Sequence, residues 1–378
     1  MKIFYLSNRE GNMRRTLFVF FIAFFLLGNM NNGAEAAKKS KKSKKKDPQL
    51  SFTLIMKAVY DDNVFRYADA EKKDFENHID SERYPIETID DLILSTTLDA
   101  DYRAQLLKGH TTLFSLRLTQ YQFWQNKGKD YMSWSFSMIQ YFSPQTNFRF
   151  NYYYLPERYF RHYYDEDLGT ISSATSHAEF GYEQHLLSGR IEHQFFEKLT
   201  LSAYYKYGKD YYEENFEEYD AENNSFGIGL KTLITKRADL RCGYGYKESR
   251  PKGYDETGET LENSDDRDYS YDQDEFFVRL SLRYLKILSR RPTVYFDFRY
   301  RKRDFMTDKS TDDYHYGRED KDYQYRVGTR AQLTDRLNGE LFFHYQKRDV
   351  DIPLDVDIQE VKNFDRRRFG VGLTYQWQ

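Results

Sequence analysis

Seven arginines recur at alternate positions within four segments of the chain, and side chains with this spacing could bind or select anions. The residues on either side are apolar or aromatic, as Val278 and Leu280 are around Arg279. Successive side chains of a β-strand point to opposite faces, so the arginines would share one face. Guanidinium groups on such a face would select anionic or polyhydroxylated solutes. The set comprises Arg241, Arg279, Arg283, Arg299, Arg301, Arg326 and Arg330.

Carboxylates accompany the arginines, namely Asp239, Glu275 and Asp297 in the same segments and Glu340 in the segment that follows them. A charge on a lipid-facing surface costs about 2 to 4 kcal/mol near the bilayer midplane, so both signs are expected to point inward. Ion pairs between them would knit together a partly filled interior. The pattern therefore leaves two interpretations open, a solute-selective wall or a structural network.

No arrangement typical of catalysis or metal binding accompanies the arginines. His177, His185 and His193 are eight residues apart, which is about 26 Å along a strand, so they cannot share an ion. Ser176 and His177 would point to opposite faces. The sequence has no G-x-S-x-G, H-E-x-x-H or paired-cysteine motif. We therefore expect no catalytic residues, no metal ligands and no cofactor, and the chain is not expected to be an enzyme.

The elements that would position the arginines are β-strands. Residues 366–377 alternate strictly to the end of the segment, with Phe369, Val371, Leu373, Tyr375 and Trp377 on one face. Similar segments of about ten residues recur along the chain, which is typical of a transmembrane β-barrel. A mean hydropathy of −0.87 beside 35 Tyr and 30 Phe fits a polar lumen with aromatic girdles. A soluble sandwich is the alternative fold.

Short and long connections between these segments alternate. Short turns are predicted at 107–110, 143–146, 196–199, 235–237, 288–292 and 334–336. Longer polar connections are predicted at 61–85, 125–130, 160–175, 214–222, 251–272, 307–321 and 351–363. This order predicts an all-β, antiparallel up-and-down barrel of about 14 strands with both chain ends on the periplasmic side. Acidic clusters in the long connections predict a solvated rim, whose aromatics would stack on surface polysaccharide.

The N-terminal region predicts export. Arg14 and Arg15 precede an apolar run over 17–27 and the sequence Ala34-Glu35-Ala36, so residues 1–36 are predicted to be a cleaved signal peptide. Residues 37–49 form a lysine-rich tail, expected in the periplasm rather than on nucleic acid. Residues 50–378 would then form one barrel, with 46 basic and 57 acidic residues from Pro48 onward.

Two short stretches resemble known proteins. Residues 60–66, Tyr-Asp-Asp-Asn-Val-Phe-Arg, resemble the opening hairpin of porin-type barrels, particularly the β-barrel porin 2 group and barrels of exopolysaccharide export. The end at Trp377 resembles the insertion signal read by the barrel-assembly machinery, although Gln378 follows the aromatic residue. A surface-lipoprotein assembly barrel is similar in size, but such proteins usually carry a periplasmic helical-repeat domain, for which this chain has no room.

These observations predict a protein of the outer membrane of a Gram-negative-type bacterium. The favoured function is a porin-like channel for small anionic or saccharide solutes, with exopolysaccharide export as one form of it. The alternative is a structural or assembly barrel with a plugged lumen. Expected partners are outer-membrane lipid and lipopolysaccharide, the barrel-assembly machinery and surface polysaccharide, with no nucleic acid.

Overall fold

The protein folds as a closed, all-antiparallel β-barrel. The structure, a computed structural model, describes residues 50–164, 177–264, 266–284, 292–354 and 358–377. Within these residues lie fourteen strands: β1 (Leu50–Asp61), β2 (Asp91–Ala104), β3 (Thr112–Phe123), β4 (Tyr131–Tyr141), β5 (Thr146–Tyr164), β6 (His177–Phe195), β7 (Leu199–Tyr212), β8 (Ala221–Thr235), β9 (Ala238–Pro251), β10 (Tyr271–Leu282), β11 (Thr293–Phe305), β12 (Glu319–Gln332), β13 (Leu337–Asp351) and β14 (Phe364–Trp377).

Each strand pairs with its neighbours in the chain, and the last strand closes the barrel on the first. In that closing pair Phe52 lies opposite Trp377, and Asp61 lies opposite Arg368. Every ladder is antiparallel, so an up-and-down barrel of fourteen strands is confirmed. Closure pairs the edge strands, which is the condition for a sheet to cross a lipid bilayer.

The outer face of the barrel is apolar. Ile228 is 63% exposed, Leu341 57% and Phe369 55%, and the residues on either side of each are less exposed. The strands are 11 to 19 residues long, whereas about 9 to 11 residues suffice to cross the hydrocarbon core. The barrel therefore presents an apolar surface to lipid and extends beyond the bilayer. No helix among the described residues is long and apolar enough to cross a membrane.

Short turns and long loops alternate as the sequence predicts, and we call the two rims the turn end and the loop end. One correction concerns the connection predicted from Phe160, because β5 continues to Tyr164. Its ladder with β6 resumes after irregularities at Leu155/Arg158 and Tyr159/Arg161. Bulges absorb extra residues without ending a strand, which hides the strand's length from a pattern of strict alternation. The turn predicted at 288–292 lies largely outside the described residues.

A small apolar core lies at the loop end, built mainly by the first loop, residues 62–90. Val64, Phe65, Tyr67 and Tyr84 of this loop are at most 6% exposed and pack with Phe123 of β3. The loop carries helix α1 (Asp69–Glu76), and the last loop carries the shorter helix α2 (Ile358–Lys362). The first connection was predicted to be polar, yet its aromatics fold inward and pack against the barrel.

The 60–66 motif anchors this loop. Asp61 is fully buried and accepts hydrogen bonds from the Arg366 guanidinium at 2.8 and 2.9 Å. The Asn63 amide donates to the Tyr67 and Asp365 carbonyl oxygens at 2.8 and 3.0 Å, and its oxygen accepts from the Tyr67 N–H at 2.8 Å. These bonds tie the start of the loop to β14, since an unpaired buried polar group would be costly.

The acidic rim is less solvated than predicted. Glu218 and Asp268 are 8% and 6% exposed, because the aromatics beside them pack between loops rather than facing water. Phe216 packs edge-on against Phe180, and Tyr219 packs against Tyr269. Of the predicted domains, the signal peptide at 1–36 and the tail at 37–49 lie outside the described residues and stay predictions.

Candidate functional site in the barrel lumen

Two cavities occupy the interior below the first loop. The larger, of about 840 Å³, reaches the turn end at Pro144 and Gln145. The smaller, of about 540 Å³, lies against the inner faces of β2–β7, β10 and β11. Both are lined by Arg149, Arg190 and Arg299. These shared side chains mark the place where the two cavities meet, which we call the junction.

The lining of the cavities is strongly cationic. Among the residues that the structure describes, ten Lys and Arg residues and five Asp and Glu residues line the two cavities. The cations are Arg117, Arg149, Arg190, Lys206, Lys231, Arg241, Arg279, Arg299, Arg326 and Arg368, and the acids are Asp99, Asp101, Glu192, Glu275 and Asp297. The lining of these cavities is therefore positive although the whole chain carries a net charge of −3.

We call the seven arginines singled out in the sequence the wall arginines; six of them lie on strands β9–β12, and Arg283 directly follows β10. Arg241 lies opposite Arg279 in the β9–β10 ladder, and Asp297 lies opposite both Arg279 and Arg326 across β11. Arg241, Arg279, Arg299 and Arg326 line the larger cavity. The structure thus brings together residues up to 89 positions apart in the sequence.

Each wall arginine lies near one of the four carboxylates noted in the sequence. Glu275 is 2.7 Å from Arg301 and 3.7 Å from Arg299, while Glu340 is 3.3 Å from Arg326 and 3.0 Å from Arg330. The remaining pairs are Asp239 with Arg283 at 2.9 Å and with Arg241 at 3.9 Å, and Asp297 with Arg279 at 2.6 Å. Seven cations share four anions, so ion pairing neutralises the wall only in part.

Aromatic rings support this wall. Tyr295 donates a hydrogen bond to Glu340 at 2.6 Å, and the guanidinium carbons of Arg279, Arg326 and Arg330 lie 5.7, 5.7 and 4.9 Å from its ring centre. Arg326 also stacks on Phe342 at 3.9 Å. Stacking on a ring fixes a guanidinium group in direction and strengthens the contact where water is scarce.

Glycines make room for these rings. A Cβ atom at Gly370 would overlap the ring of Phe342, and one at Gly243 would overlap Phe277. Tyr204 lies against Gly227 in the same way. The rings therefore occupy space that a side chain at each of these glycines would fill.

Sequence reasoning did not predict the cations that line the cavities from strands outside β9–β12. Arg149 on β5 and Arg190 on β6 lie directly opposite each other, and Arg368 of β14 donates to the His344 imidazole at 2.8 Å. Their signal was present in the alternating series Asn147, Arg149 and Asn151.

An ion network closes over the loop end. Glu71 of α1 is 3% exposed and accepts from Arg161 at 2.8 Å and from Arg83 at 3.0 Å. Burial alone would raise the pKa of Glu71, but the Arg161 guanidinium, the Ala68 N–H and Arg83 outweigh it and lower the pKa below its ordinary value. Lys362 of α2 lies over the ring of Tyr163 at 4.9 Å, which brings the last loop to the same place.

The other polar clusters lie apart from the lumen cations. His177 is 3.7 Å from Asp80, whereas His185 and His193 contact Tyr152 and Thr146, so the three histidines form no common site. Among the described residues one acidic group, Asp255, Glu256, Glu259 and Asp266, has its oxygens within 4.8 Å of one another.

The C-terminal residues form the closing strand. Phe369, Val371, Leu373 and Tyr375 are 40% to 55% exposed on the outer face, and Trp377 stacks with Phe52 of β1 at 5.7 Å. The alternating apolar residues that resemble an insertion signal therefore form the lipid-facing side of β14. Its recognition by the assembly machinery stays a prediction.

No family model and no curated protein matches the chain. Solved outer-membrane proteins resemble it in fold. The channel DcaP of Acinetobacter baumannii is 10% identical, with 90% of this chain and 100% of that chain covered and a TM-score of 0.46. The anion-selective porin from Comamonas acidovorans is 10% identical, with 87% and 98% covered and a TM-score of 0.42. OmpT of Vibrio cholerae is 9% identical, with 88% and 99% covered and a TM-score of 0.43.

The architecture follows from the chain itself. A closed sheet leaves no unpaired strand edge in lipid, the outer face is apolar, and charged residues line the interior cavities. The protein is a fourteen-stranded β-barrel of the outer membrane.

Proposed function

We propose that the barrel is a porin-like channel that passes small solutes and prefers anions. The observation that carries this proposal is the cationic lining of the two cavities, in which Lys and Arg side chains outnumber Asp and Glu by two to one. In this proposal the chain is a conduit rather than an enzyme. Lipopolysaccharide, the assembly machinery and surface polysaccharide are its proposed partners.

Because of their distance from the passing ion, the lumen charges should influence ion selectivity more than the acidic loops do. Charges in solution are screened over about 8 Å at physiological ionic strength, so loop carboxylates act mainly at the entrance. Inside, a low-dielectric wall screens less, and an ion passing the junction meets Arg149, Arg190 and Arg299 together. The acidic overall charge and an anion preference are therefore compatible.

A second function is favoured by the first loop. Phe65 and Tyr67 are each 1% exposed at the loop end, and α1 is held by the Glu71 network. A loop packed this firmly would suit a structural or assembly barrel with a plugged lumen. In that case the wall arginines would serve only to stabilise the interior through ion pairs.

Ion selectivity in a planar bilayer distinguishes the two functions. Under a tenfold KCl gradient we expect the reversal potential of the parent protein to show anion preference. Arg299→Gln with Arg326→Gln should shift this potential toward cations. The matched control is Lys347→Gln with Arg367→Gln, which removes two positive charges from the outer face of β13 and β14 and should leave selectivity unchanged. Cation preference in the parent, or equal shifts in both double variants, would contradict the anion-selective channel, and insertion without conductance would favour the plugged barrel.

A further inference from the structure

We propose that the junction contains a binding subsite for a dianionic polyol, of which a sugar phosphate is the representative. The inference rests on the proposed function and names a solute class for the same lumen. Three features carry it, namely an arginine that lacks a carboxylate partner, a row of hydroxyl and amide side chains beside it, and two aromatic rings.

Arg149 is the exceptional cation of the junction. It lies directly opposite Arg190 in the β5–β6 ladder, and like charges in that position repel. Glu192 forms an ion pair with Arg190 at 2.9 Å and so compensates its charge. Arg190 also donates a hydrogen bond to the Ser202 hydroxyl at 2.8 Å. Within the part of the chain that the structure describes, no carboxylate lies within 4.0 Å of the Arg149 guanidinium, which is exposed to the cavities.

The charge balance at the junction suits a dianion. Arg149, Arg190, Arg299 and Lys206 supply four positive charges, while Glu192 and Glu275 supply two negative ones. Asp99 and Asp101 lie on β2, three strand spacings or about 14 Å from β5, where they are bonded to Arg117 and Ser115. A phosphate monoester carries a charge of about −1.5 to −2 at neutral pH and accepts several hydrogen bonds from guanidinium groups.

Hydroxyl and amide groups adjoin the arginines. Ser137, Asn151 and Ser188 lie opposite one another across β4, β5 and β6, and Lys206 continues the row on β7. This row is two residues, or about 7 Å, from the row that carries Arg149 and Arg190. All four side chains line the smaller cavity. A ligand held by its phosphate at Arg149 would therefore meet donors and acceptors for its hydroxyl groups.

Two rings complete the subsite. Tyr204 and Phe277 line the smaller cavity, and both pack against glycines of the sheet. Lys206 lies 4.9 Å from the centre of the Tyr204 ring. A flat apolar face suits the C–H face of a sugar ring, while the polar row suits its hydroxyl edge.

The test is block of single-channel current by glucose 6-phosphate, with inorganic phosphate and glucose as separate probes. We expect glucose 6-phosphate to block at concentrations at least about tenfold lower than either probe. Arg149→Gln should raise its half-blocking concentration about tenfold. The matched control is Lys231→Gln, which removes an exposed cation that lines the larger cavity only and should change the value less than twofold.

A neutral variant separates recognition of the polyol from attraction of charge. Asn151→Ala should weaken block by glucose 6-phosphate but leave block by inorganic phosphate unchanged. Equal effects of Arg149→Gln and Lys231→Gln, or equal block by phosphate and glucose 6-phosphate, would overturn the subsite. If the reversal potential still shows anion preference in that case, the proposed function stands and only the subsite fails.

Discussion

Removing the Glu71 carboxylate should release the first loop from the loop end of the barrel. Glu71 is buried, and it accepts hydrogen bonds from the Arg161 and Arg83 guanidinium groups and from the Ala68 N–H at 3.0 Å. In Glu71→Gln the 6%-exposed Arg161 side chain would keep its charge without a counter-ion. Breaking one partner of a buried ion pair costs about 3 to 5 kcal/mol.

That cost destabilises the docked state of the loop. A loss of about 4 kcal/mol would shift the ratio of docked to released loop by about three orders of magnitude, because each 1.4 kcal/mol is tenfold. The Lys72 and Lys73 peptide bonds in α1 would then become accessible to trypsin. The assay is the rate of trypsin cleavage at these bonds in folded, detergent-solubilised protein.

The matched control is Glu76→Gln, on the same helix at an exposed position. It should be cleaved at the parent rate. Equal rates for the two variants would refute the assignment of Glu71 as the anchor of the loop.

Acid should reproduce the effect of the variant. The pKa of Glu71 is lowered in the folded protein, so its stabilising contribution is present above the unfolded value of about 4.3 and is lost as the pH falls through the folded value. Trypsin is inactive there, so pepsin cleavage of the first loop is the measurement. Parent protein should show increased cleavage below about pH 4, and Glu71→Gln should show less dependence on pH.

Two further outcomes follow from the barrel and its lumen. Gly370→Ala should push Phe342 off the wall and lower the single-channel conductance, whereas Gly372→Ala, whose nearest neighbour is the flexible Lys57 side chain at 3.3 Å, should leave the conductance unchanged. Because every strand is paired in a closed sheet, the folded protein should migrate differently on a gel before and after boiling and show a β-type circular dichroism spectrum. A mainly helical spectrum would contradict the fold.

The strands could be predicted because alternation is a local property. Phe369 to Trp377 and the segments around Arg279, Arg299 and Arg326 each show it within about ten residues. The wall arginines and their four carboxylates could be named for the same reason, since the cost of a charge in lipid decides the face on which each lies.

The loop end could not be predicted, because its structure depends on distant partners. Glu71 pairs with Arg161, 90 residues away, and Asp61 pairs with Arg366, 305 residues away. Nothing near Glu71 in the sequence distinguishes it from the exposed Glu76. The packing of Phe342 against Gly370 is likewise a contact between neighbouring strands, so the sequence of either strand alone does not predict it.

The most direct test of a water-filled, cation-lined passage is the conductance of the purified barrel in a planar bilayer. Protein that shows the heat-dependent shift on a gel is added to one side in KCl, and the current is recorded at constant voltage. The account predicts stepwise, uniform increases in current that carry mainly chloride. Folded protein that inserts without conducting would contradict it and leave the barrel with a plugged lumen.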